Sequence, residues 1–483
     1  MDLRKRNIVI SLMVAMFLGA VEGTVVTNAI PTIVKSLNGF ELISWIFSIY
    51  LLTSAISTPI YGKLSDLYGR KNILSIGIII FLTGSFLCGI SGSMYQLIIF
   101  RAIQGLGAGS IFTVTYTIVG DVFTLSERAK VQGWLGTVWG VASLAGPFLG
   151  GLLIQYLSWH WIFFINIPFG IISILLLKKN LDEHLKRKAV TIDYAGTFVL
   201  SLAIMVFLYG TMSKGESSKL LSSSAVISII ITAAMLLIFY FIEKKTAEPI
   251  IPFEIFTKTN IIVSFISFLA SAVLIGADVY MPLYMQNILS FSPKISGLSM
   301  APMSIAWTIS AVLLSRAIPK YGEKIVIGLS SVIVLISCFL LSTLHINSSI
   351  ILIIVYAFIM GFGFGGLFTT LTIVVQSSVD FNIRGAATAA NSLIRNIGQT
   401  IAASILGSIV NLSIVKYFNN LGIKGVQPDN LYSSANAAKA ISSEAIKSSI
   451  FSGIHIVFTI LIGAAVLCLI FSFSLSSKLK EQN

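Results

Sequence analysis

Long apolar runs alternate with short polar connections along the whole chain. Fourteen of the runs are long enough for helical membrane spans, since about 20 apolar residues cross the hydrocarbon core. Backbone groups in lipid must bond within their own segment, and runs this long and uniform favour helices over barrel strands. The predicted spans are 8–32, 42–61, 73–92, 96–119, 131–156, 161–178, 191–210, 222–242, 260–286, 295–315, 324–343, 349–375, 386–412 and 451–475.

Composition supports the same class. Of the 483 residues, 56% are hydrophobic and only 11% are charged, whereas soluble domains carry about 25% charged residues. The three cysteines fall inside predicted spans without paired spacing, so neither a disulfide framework nor a zinc site is indicated. The chain is therefore predicted to be an all-α polytopic membrane protein.

The net charge of +13 is explained by where the basic residues lie relative to the predicted spans. Most Lys and Arg residues collect at one set of span ends, as in 4–6, 70–71 and 186–188. This is the positive-inside bias, and it predicts that both termini are cytoplasmic. We expect a multi-pass protein of the cell membrane, of bacterial origin. The first apolar run is too long for a signal peptide and leads directly into further spans, so we expect it to be retained. Nucleic acid is not expected as a partner.

An internal repeat divides the chain. Three glycines in the fourth span recur 256 residues later in the twelfth, and a following arginine recurs at the same offset. These residues are Gly105, Gly107, Gly109 and Arg128, then Gly361, Gly363, Gly365 and Arg384. We predict six-helix bundles at 1–180 and 260–483, a linker with two inserted helices at 181–259, and a long outer loop at 417–449. Parallel repeats of this kind place substrate sites near the midplane, between the bundles.

The loop G-K-L-S-D-L-Y-G-R-K, residues 62–71, carries charges between two apolar runs. Its glycines permit close approach or positive φ, and its aspartate can face the positive end of a helix dipole. The loop resembles the cytoplasmic signature of the major facilitator superfamily. The alternative interpretation is a simple basic turn at the membrane surface.

The resemblance implies a cytoplasmic gate. In it, Asp66 would face the start of the thirteenth span near Arg384, and Arg70 would pair with Asp121. The second-repeat loop, residues 315–324, lacks an acid at the place of Asp66, so the latch is predicted to be one-sided. The predicted gate residues are Gly62, Asp66, Gly69, Arg70, Lys71 and Asp121.

Three further motifs resemble superfamily signatures. R-A-I-Q-G-L-G-A-G at 101–109 resembles the fourth-helix motif, which implies a proton-coupling role for Arg101; the alternative is a snorkelling side chain. G-P-F-L-G-G at 146–151 resembles the drug:proton antiporter motif, although close helix packing also explains its glycines. W-H-W-I-F-F-I-N-I-P at 159–168 resembles a signature of the 14-helix drug:proton antiporters. The predicted residues of the helix-5 antiporter motif are Gly146, Pro147, Gly150 and Gly151.

Two carboxylates inside spans are candidates for proton coupling. Glu22 lies in the first span, where the family usually has Asp, and Asp278 follows at the repeat offset of 256 residues. Burial penalises the charged form of a carboxylate, so such a group can take up and release a proton. The alternatives are a permanently hydrogen-bonded Glu22 and a position near a helix end for Asp278.

The same acids suit an organic cation, because Arg101 and Arg395 are the only evident cations near the midplane. Aromatic side chains could add cation–π contacts, although packing or anchoring at the membrane interface is the favoured interpretation for each one taken singly. The predicted substrate-binding residues are Glu22, Asp278, Asn28, Tyr50, Gln104, Tyr284 and Trp307.

These features predict a monomeric secondary transporter in membrane lipid, with protons as coupling ion and no other cofactor. The expected activity is efflux of lipophilic or cationic drugs and dyes by antiport. The alternative is an exporter of one specific antibiotic or metabolite. A Walker loop is absent from the sequence, which gives no support for ATP-driven transport. A membrane enzyme is disfavoured because no nucleophile–base or metal-ligand spacing appears.

Overall fold

The computed structural model of the chain is built from helices in the part it describes. That part comprises residues 3–37, 43–181, 193–212, 223–246, 249, 251–291, 293–423 and 442–475.

The helices occupy all fourteen predicted span positions. They are α1 Leu3–Leu37, α2 Ile43–Tyr68, α3 Arg70–Gly89, α4 Met94–Val122, α5 Leu125–Tyr156, α6 Trp161–Phe164, α7 Asn166–Asn180, α8 Tyr194–Met212, α9 Ser223–Glu243, α10 Lys258–Asn287, α11 Pro293–Tyr321, α12 Glu323–Ser342, α13 Ile350–Ser377, α14 Arg384–Asn420 and α15 Ser443–Phe473. Within the described ranges, 11 helices are long and apolar enough to cross a membrane. The number of fourteen spans stays a prediction.

The sixth predicted span consists of two helices. The short α6 ends at Phe164 and α7 begins at Asn166, with Ile165 between them. Pro168 has no N–H to donate to the carbonyl of Phe164, and its ring crowds that carbonyl. A continuous helix is therefore disfavoured at this point, which the apolar pattern alone did not reveal.

The helices pack mainly with others of the same predicted half. In the first half α1 contacts α5 and α7, and α4 contacts α2 and α3; in the second, α13 contacts α11 and α12, and α10 contacts α14 and α15. The halves meet through α5 with α11 and α2 with α14. Helices α8 and α9 pair with each other, and α8 also contacts α2. The outer loop predicted at 417–449 falls largely on residues 424–441, outside the described part.

The repeated glycines make equivalent contacts in the two halves. In each triplet, the outer two glycines face one neighbouring helix and the middle glycine faces the next helix along. Gly105 and Gly109 meet α2, Gly107 meets α3, Gly361 and Gly365 meet α11, and Gly363 meets α12. Since a hydrogen in place of a side chain lets backbones approach closely, these glycines set the distances between the helices.

We predict that Gly105→Ala destabilises the protein. The added methyl group would overlap Thr53 Oγ1 and the carbonyl oxygen of Tyr50, and overpacking of this kind costs about 1–3 kcal/mol. The matched control is Gly463→Ala, because nothing lies within 4 Å of the position of its Cβ. Thermal unfolding in detergent should show a lower Tm for Gly105→Ala only. Equal Tm values for the two variants would contradict the packing argument.

Candidate functional site

A buried ion pair lies inside the N-terminal half. Arg101 Nη1 on α4 donates to Glu22 Oε1 on α1 at 2.6 Å. Both side chains are only 1% exposed. The charge of Arg101 is thus neutralised by a carboxylate in the protein interior, and the alternative of a side chain that snorkels to the surface does not apply.

Polar neighbours hold both members of the pair. Asn166 Nδ2 donates to Glu22 Oε2 at 2.6 Å, and Arg101 Nη1 also donates to Gln104 Oε1 at 2.8 Å. Arg101 Nε donates to the carbonyl oxygen of Ile46 in α2 at 3.2 Å. Groups from α1, α2, α4 and α7 therefore converge on one charge pair.

Two further side chains complete the cluster. The Ser85 hydroxyl accepts from Asn166 Nδ2 at 2.9 Å and from Gln104 Nε2 at 3.1 Å. The ring of Tyr50 lies 4.2 Å from Arg101 Cζ, in cation–π geometry. This environment satisfies the charged form of Glu22, and loss of one partner of such a buried pair typically costs about 3–5 kcal/mol.

The helix-5 motif packs beside Glu22. A Cβ on Gly146 of α5 would overlap Thr24 Oγ1 of α1, and a Cβ on Gly150 would lie 3.4 Å from Val25 Cγ1. Thr24 Oγ1 donates to the carbonyl oxygen of Ala142 at 3.1 Å. The motif therefore brings α5 close to the segment of α1 that carries the carboxylate. Helix α5 continues without a break through position 147, and the side chain of Pro147 and residue Gly151 lie outside the described contacts.

The predicted gate loop joins the two halves. A Cβ on Gly62 of α2 would overlap Ala389 of α14 and lie 3.0 Å from the carbonyl oxygen of Gly385. Asp66 accepts from the backbone N–H groups of Gly385 at 3.1 Å and Ala386 at 3.0 Å. A carboxylate at the N-terminus of a helix satisfies otherwise unpaired donors and interacts favourably with the helix dipole.

A second carboxylate bridges two arginines. Asp121 at the end of α4 pairs with Arg70 Nε at 2.9 Å and with Arg384 Nη1 at 2.8 Å. Arg70 also lies 2.5 Å from Asp66 Oδ1. Gly69 immediately precedes α3 and has a φ of 97°. A residue with a side chain would be strained in this conformation, so the glycine allows the turn that places Arg70. The Asp66 and Arg70 contacts implied by the resemblance are both present, while the action of the loop as a gate stays a prediction.

Additional bonds close this end of the interface. Gln376 Nε2 of α13 donates to the carbonyl oxygen of Tyr116 in α4 at 2.9 Å. Deeper in the interface, the hydroxyls of Thr137 in α5 and Thr308 in α11 share a hydrogen bond at 2.9 Å. The structure therefore shows the two halves in contact at the end that carries the Gly62–Lys71 loop. Lys71 itself donates to the carbonyl oxygen of Lys178 at 2.8 Å.

The other predicted site residues are dispersed. Asp278 lies in α10 with an exposed side chain, for which the described residues supply no hydrogen-bond or ion-pair partner. Tyr284 is fully buried and donates to the carbonyl oxygen of His345 at 2.5 Å, within its own half. Trp307 stacks on Phe368 at the α5–α11 interface, with ring centroids 5.4 Å apart. The side chain of Asn28 is not among those described.

Sequence reasoning missed Asn166 and Ser85 as partners of Glu22 and Gln104. Asn166 is a polar residue in the otherwise apolar stretch 161–168, which was the available signal. The sequence analysis placed Arg384 beside Asp66 but did not predict that Arg384 pairs with Asp121. That bridge depends on how α4 and α14 meet, and the order of residues along the chain does not specify this.

The comparisons with known proteins agree with this fold. The profile of the Major Facilitator Superfamily matches residues 12–403. This chain is a member of the Major Facilitator Superfamily of membrane transporters.

Its curated relatives include bacterial drug transporters. Multidrug transporter protein MdtP of Bacillus subtilis (strain 168) is 33% identical over 409 residues, 84% of this chain and 76% of that protein. Multidrug resistance protein 3 of the same organism is 31% identical over 421 residues, 86% of this chain and 82% of that protein. Multidrug efflux pump SdrM of Staphylococcus aureus (strain N315) is 29% identical over 448 residues, which are 92% of this chain and 96% of that protein.

Solved structures share the fold at lower identity. The crystal structure of the human organic anion transporter MFSD10 (TETRAN) aligns with a TM-score of 0.70 and 13% identity, covering 98% of this chain and 100% of that one. The proton:xylose symporter XylE aligns with a TM-score of 0.63 and 14% identity, covering 97% and 95%. At these identities the likeness supports the fold alone.

We predict that Asp66→Asn weakens the closed state at the loop. The variant keeps the size of the side chain but loses the charge-assisted bonds to Gly385, Ala386 and Arg70. Such bonds contribute about 1.5–3 kcal/mol, so the closed–open equilibrium should shift about tenfold or more. A reporter cysteine, Ala389→Cys, should react faster with a maleimide in this background, and transport turnover should fall with little change in substrate affinity.

The matched control for the gate experiment is Asp380→Asn. This carboxylate lies near the same end, is exposed and makes no cap hydrogen bond with its side chain. It should leave both maleimide reactivity and turnover unchanged. A large loss of substrate affinity in Asp66→Asn, without faster labelling, would contradict a gating role.

Proposed function

We propose that this transporter is a proton-coupled antiporter that exports lipophilic and cationic compounds by alternating access. The observation that carries the proposal is the Glu22–Arg101 ion pair. It is enclosed in the N-terminal half, with Arg101 Nη1 2.6 Å from Glu22 Oε1. The names of two relatives, a multidrug transporter protein at 33% identity and a multidrug resistance protein at 31%, support export of more than one compound.

The pair gives protons a way to act on the protein. Protonation of Glu22 would remove its attraction for Arg101 and leave the guanidinium held only by neutral groups. Since an uncompensated buried charge is costly, Arg101 would then move or gain water, and the packing of α4 against α1 would change. Deprotonation would restore the pair.

Helix α2 connects this switch to the gate. The carbonyl group of Ile46 accepts from Arg101, and Asp66 in the same helix caps α14. Twenty residues separate Ile46 from Asp66, about 30 Å along a straight helix. A shift of Arg101 would thus act on the gate contacts through one continuous helix. In the proposed cycle, closure at the loop end opens the opposite face, where drug leaves and Glu22 takes up a proton.

The alternative function is export of one specific antibiotic or metabolite on the same scaffold. A competition panel of dyes, quaternary amines and antibiotics would distinguish the two. Broad competition supports the multidrug function, whereas inhibition by a single chemical family supports the alternative.

We predict that Glu22→Gln abolishes gradient-driven transport. Proteoliposomes with an acidic lumen should accumulate ethidium from outside, and a protonophore should collapse that uptake. The Gln variant cannot carry a proton, so its uptake should fall to that of empty liposomes. Full gradient-driven uptake by Glu22→Gln would exclude Glu22 as the essential carrier.

Two controls separate coupling from folding in the Glu22 experiment. Glu22→Gln alone leaves Arg101 unpaired and should lower Tm, while Glu22→Gln combined with Arg101→Gln removes both charges and should recover Tm. The recovered double variant should still lack gradient-driven uptake. Glu254→Gln, a change at an exposed carboxylate, should keep both Tm and uptake.

We predict that Asp278→Asn impairs cationic substrates selectively. A charge-assisted contact contributes about 1.5–3 kcal/mol, which corresponds to about a 10- to 100-fold loss of affinity for ethidium. A neutral lipophilic substrate should lose little. The measurement is the half-saturating concentration of each substrate in proteoliposomes. Equal losses for both substrates would assign Asp278 to coupling or folding.

A further inference from the structure

The guanidinium of Arg395 lies in α14, between the gate and the far end of the helix. Eleven residues separate it from Arg384 at the gate, about 16 Å along the helix axis. Half of the hydrocarbon core is about 15 Å thick, so a gate at the edge of the core would place Arg395 near the middle of the membrane. That is the depth where substrate sites occur between repeats.

Among the described residues, Arg395 has neutral partners only. Its Nη2 donates to Thr372 Oγ1 at 2.9 Å and weakly to the carbonyl oxygen of Phe368 at 3.5 Å. Its Nε is buried without a hydrogen-bond partner. In the described part of the chain, no carboxylate forms an ion pair with it, in contrast to the pairing of Arg101 with Glu22.

Asp278 is too distant to neutralise Arg395. Helices α10 and α14 run parallel, with Gly398 packed against Phe268 and Leu406 near Gly276. Asp278 lies ten residues beyond Phe268, and Arg395 lies three residues before Gly398. The two charges are therefore about 20 Å apart along the helices.

A pair of stacked aromatic rings lies beside the guanidinium of Arg395. The Arg395 Cζ lies 4.8 Å from the centre of the Phe368 ring, and that ring stacks on Trp307 with an interplanar angle of 9°. A Cβ on Gly136 of α5, in the first half, would lie 3.1 Å from Trp307 Cδ1. Groups from both halves therefore surround this position, between the surfaces that alternating access would separate.

We propose that Arg395, with Thr372 and the Phe368–Trp307 stack, forms a binding site for a planar aromatic carboxylate. The guanidinium offers a planar set of donors that matches a carboxylate, and the aromatic rings provide a stacking surface for the rest of the molecule. An unpaired cation in a low-dielectric interior is costly, and an anionic group of the substrate removes that cost. The inference rests on the proposed function only in assuming that a small molecule enters between the halves.

The test is equilibrium binding to the purified full-length protein in detergent, without a proton gradient. The probes are 2-naphthoate and its neutral analogue 2-naphthamide. Arg395→Gln should weaken naphthoate binding about 10- to 100-fold, because a hydrogen-bonded charge pair is lost, and should leave naphthamide binding unchanged. Arg395→Lys should give an intermediate affinity for naphthoate, and Phe368→Leu should weaken both probes. Thermal unfolding checks that each variant is folded.

Equal losses of naphthoate and naphthamide in Arg395→Gln would overturn the proposal, as would naphthoate binding that does not depend on Arg395 or that is absent from the wild-type protein. Ethidium uptake in proteoliposomes tests the proposed function separately. Arg395-dependent naphthoate binding without gradient-driven ethidium uptake would leave this site intact and refute the antiport of cations. The reverse result would refute the site alone.

Discussion

The arrangement of this transporter depends on the cost of placing a charge where water does not reach it. Arg101 lies in a membrane helix, and it is accommodated because Glu22, Gln104 and a backbone carbonyl from a third helix surround it. Four helices of the N-terminal half must therefore hold fixed positions around one pair of charges. The proposed proton coupling uses this constraint, because a change in the protonation of Glu22 would alter the packing of these helices.

The same constraint operates at the contact between the halves. Asp66 accepts bonds from the first amides of α14, and Asp121 is shared by an arginine from each half. These contacts satisfy the charges in the arrangement that the structure shows. In the proposed alternating-access cycle, the open state would leave the same charges to water, so the free-energy difference between the two states would stay small. Glycines such as Gly62 let the two backbones come close enough for these short bonds to form.

Arg395 differs from Arg101 and Arg70, which are each paired with a carboxylate of the chain. Its guanidinium contacts an aromatic ring and a hydroxyl group, and its buried Nε has no hydrogen-bond partner among the described residues. This contrast among the described residues is the basis of the proposal that the partner of Arg395 comes from outside the chain. The N-terminal half thus contains a buried pair of opposite charges, and the C-terminal half contains a cation without a charged partner among the described residues.

The helices could be predicted from the sequence because the backbone groups of each apolar run must form hydrogen bonds within that run in lipid. The repeat could be predicted because the same glycines and arginine recur at one fixed offset. The prediction of Asp66 at the start of α14 came from a resemblance, since the residues from 62 to 71 are a compact signature. The break at Ile165 was missed, although Pro168 is visible in the sequence, because an apolar pattern does not register a lost backbone donor. Tyr50 and Tyr284 were predicted to contact the substrate, but the structure encloses each of them within its own half. The sequence could not reveal this, because a tyrosine that packs in the core and one that lines a cavity are the same residue type.

The sequence by itself determined the class of the protein, the positions of its helices, the internal repeat and the candidate charges, since each depends on local composition and spacing. Only the tertiary structure decided which charges are paired. Glu22 and Arg101 are 79 residues apart in the chain and 2.6 Å apart in space, while Arg395 and Asp278 remain without a charged partner among the described residues. Pairing depends on which faces of distant helices meet, and that is set by packing across the whole bundle.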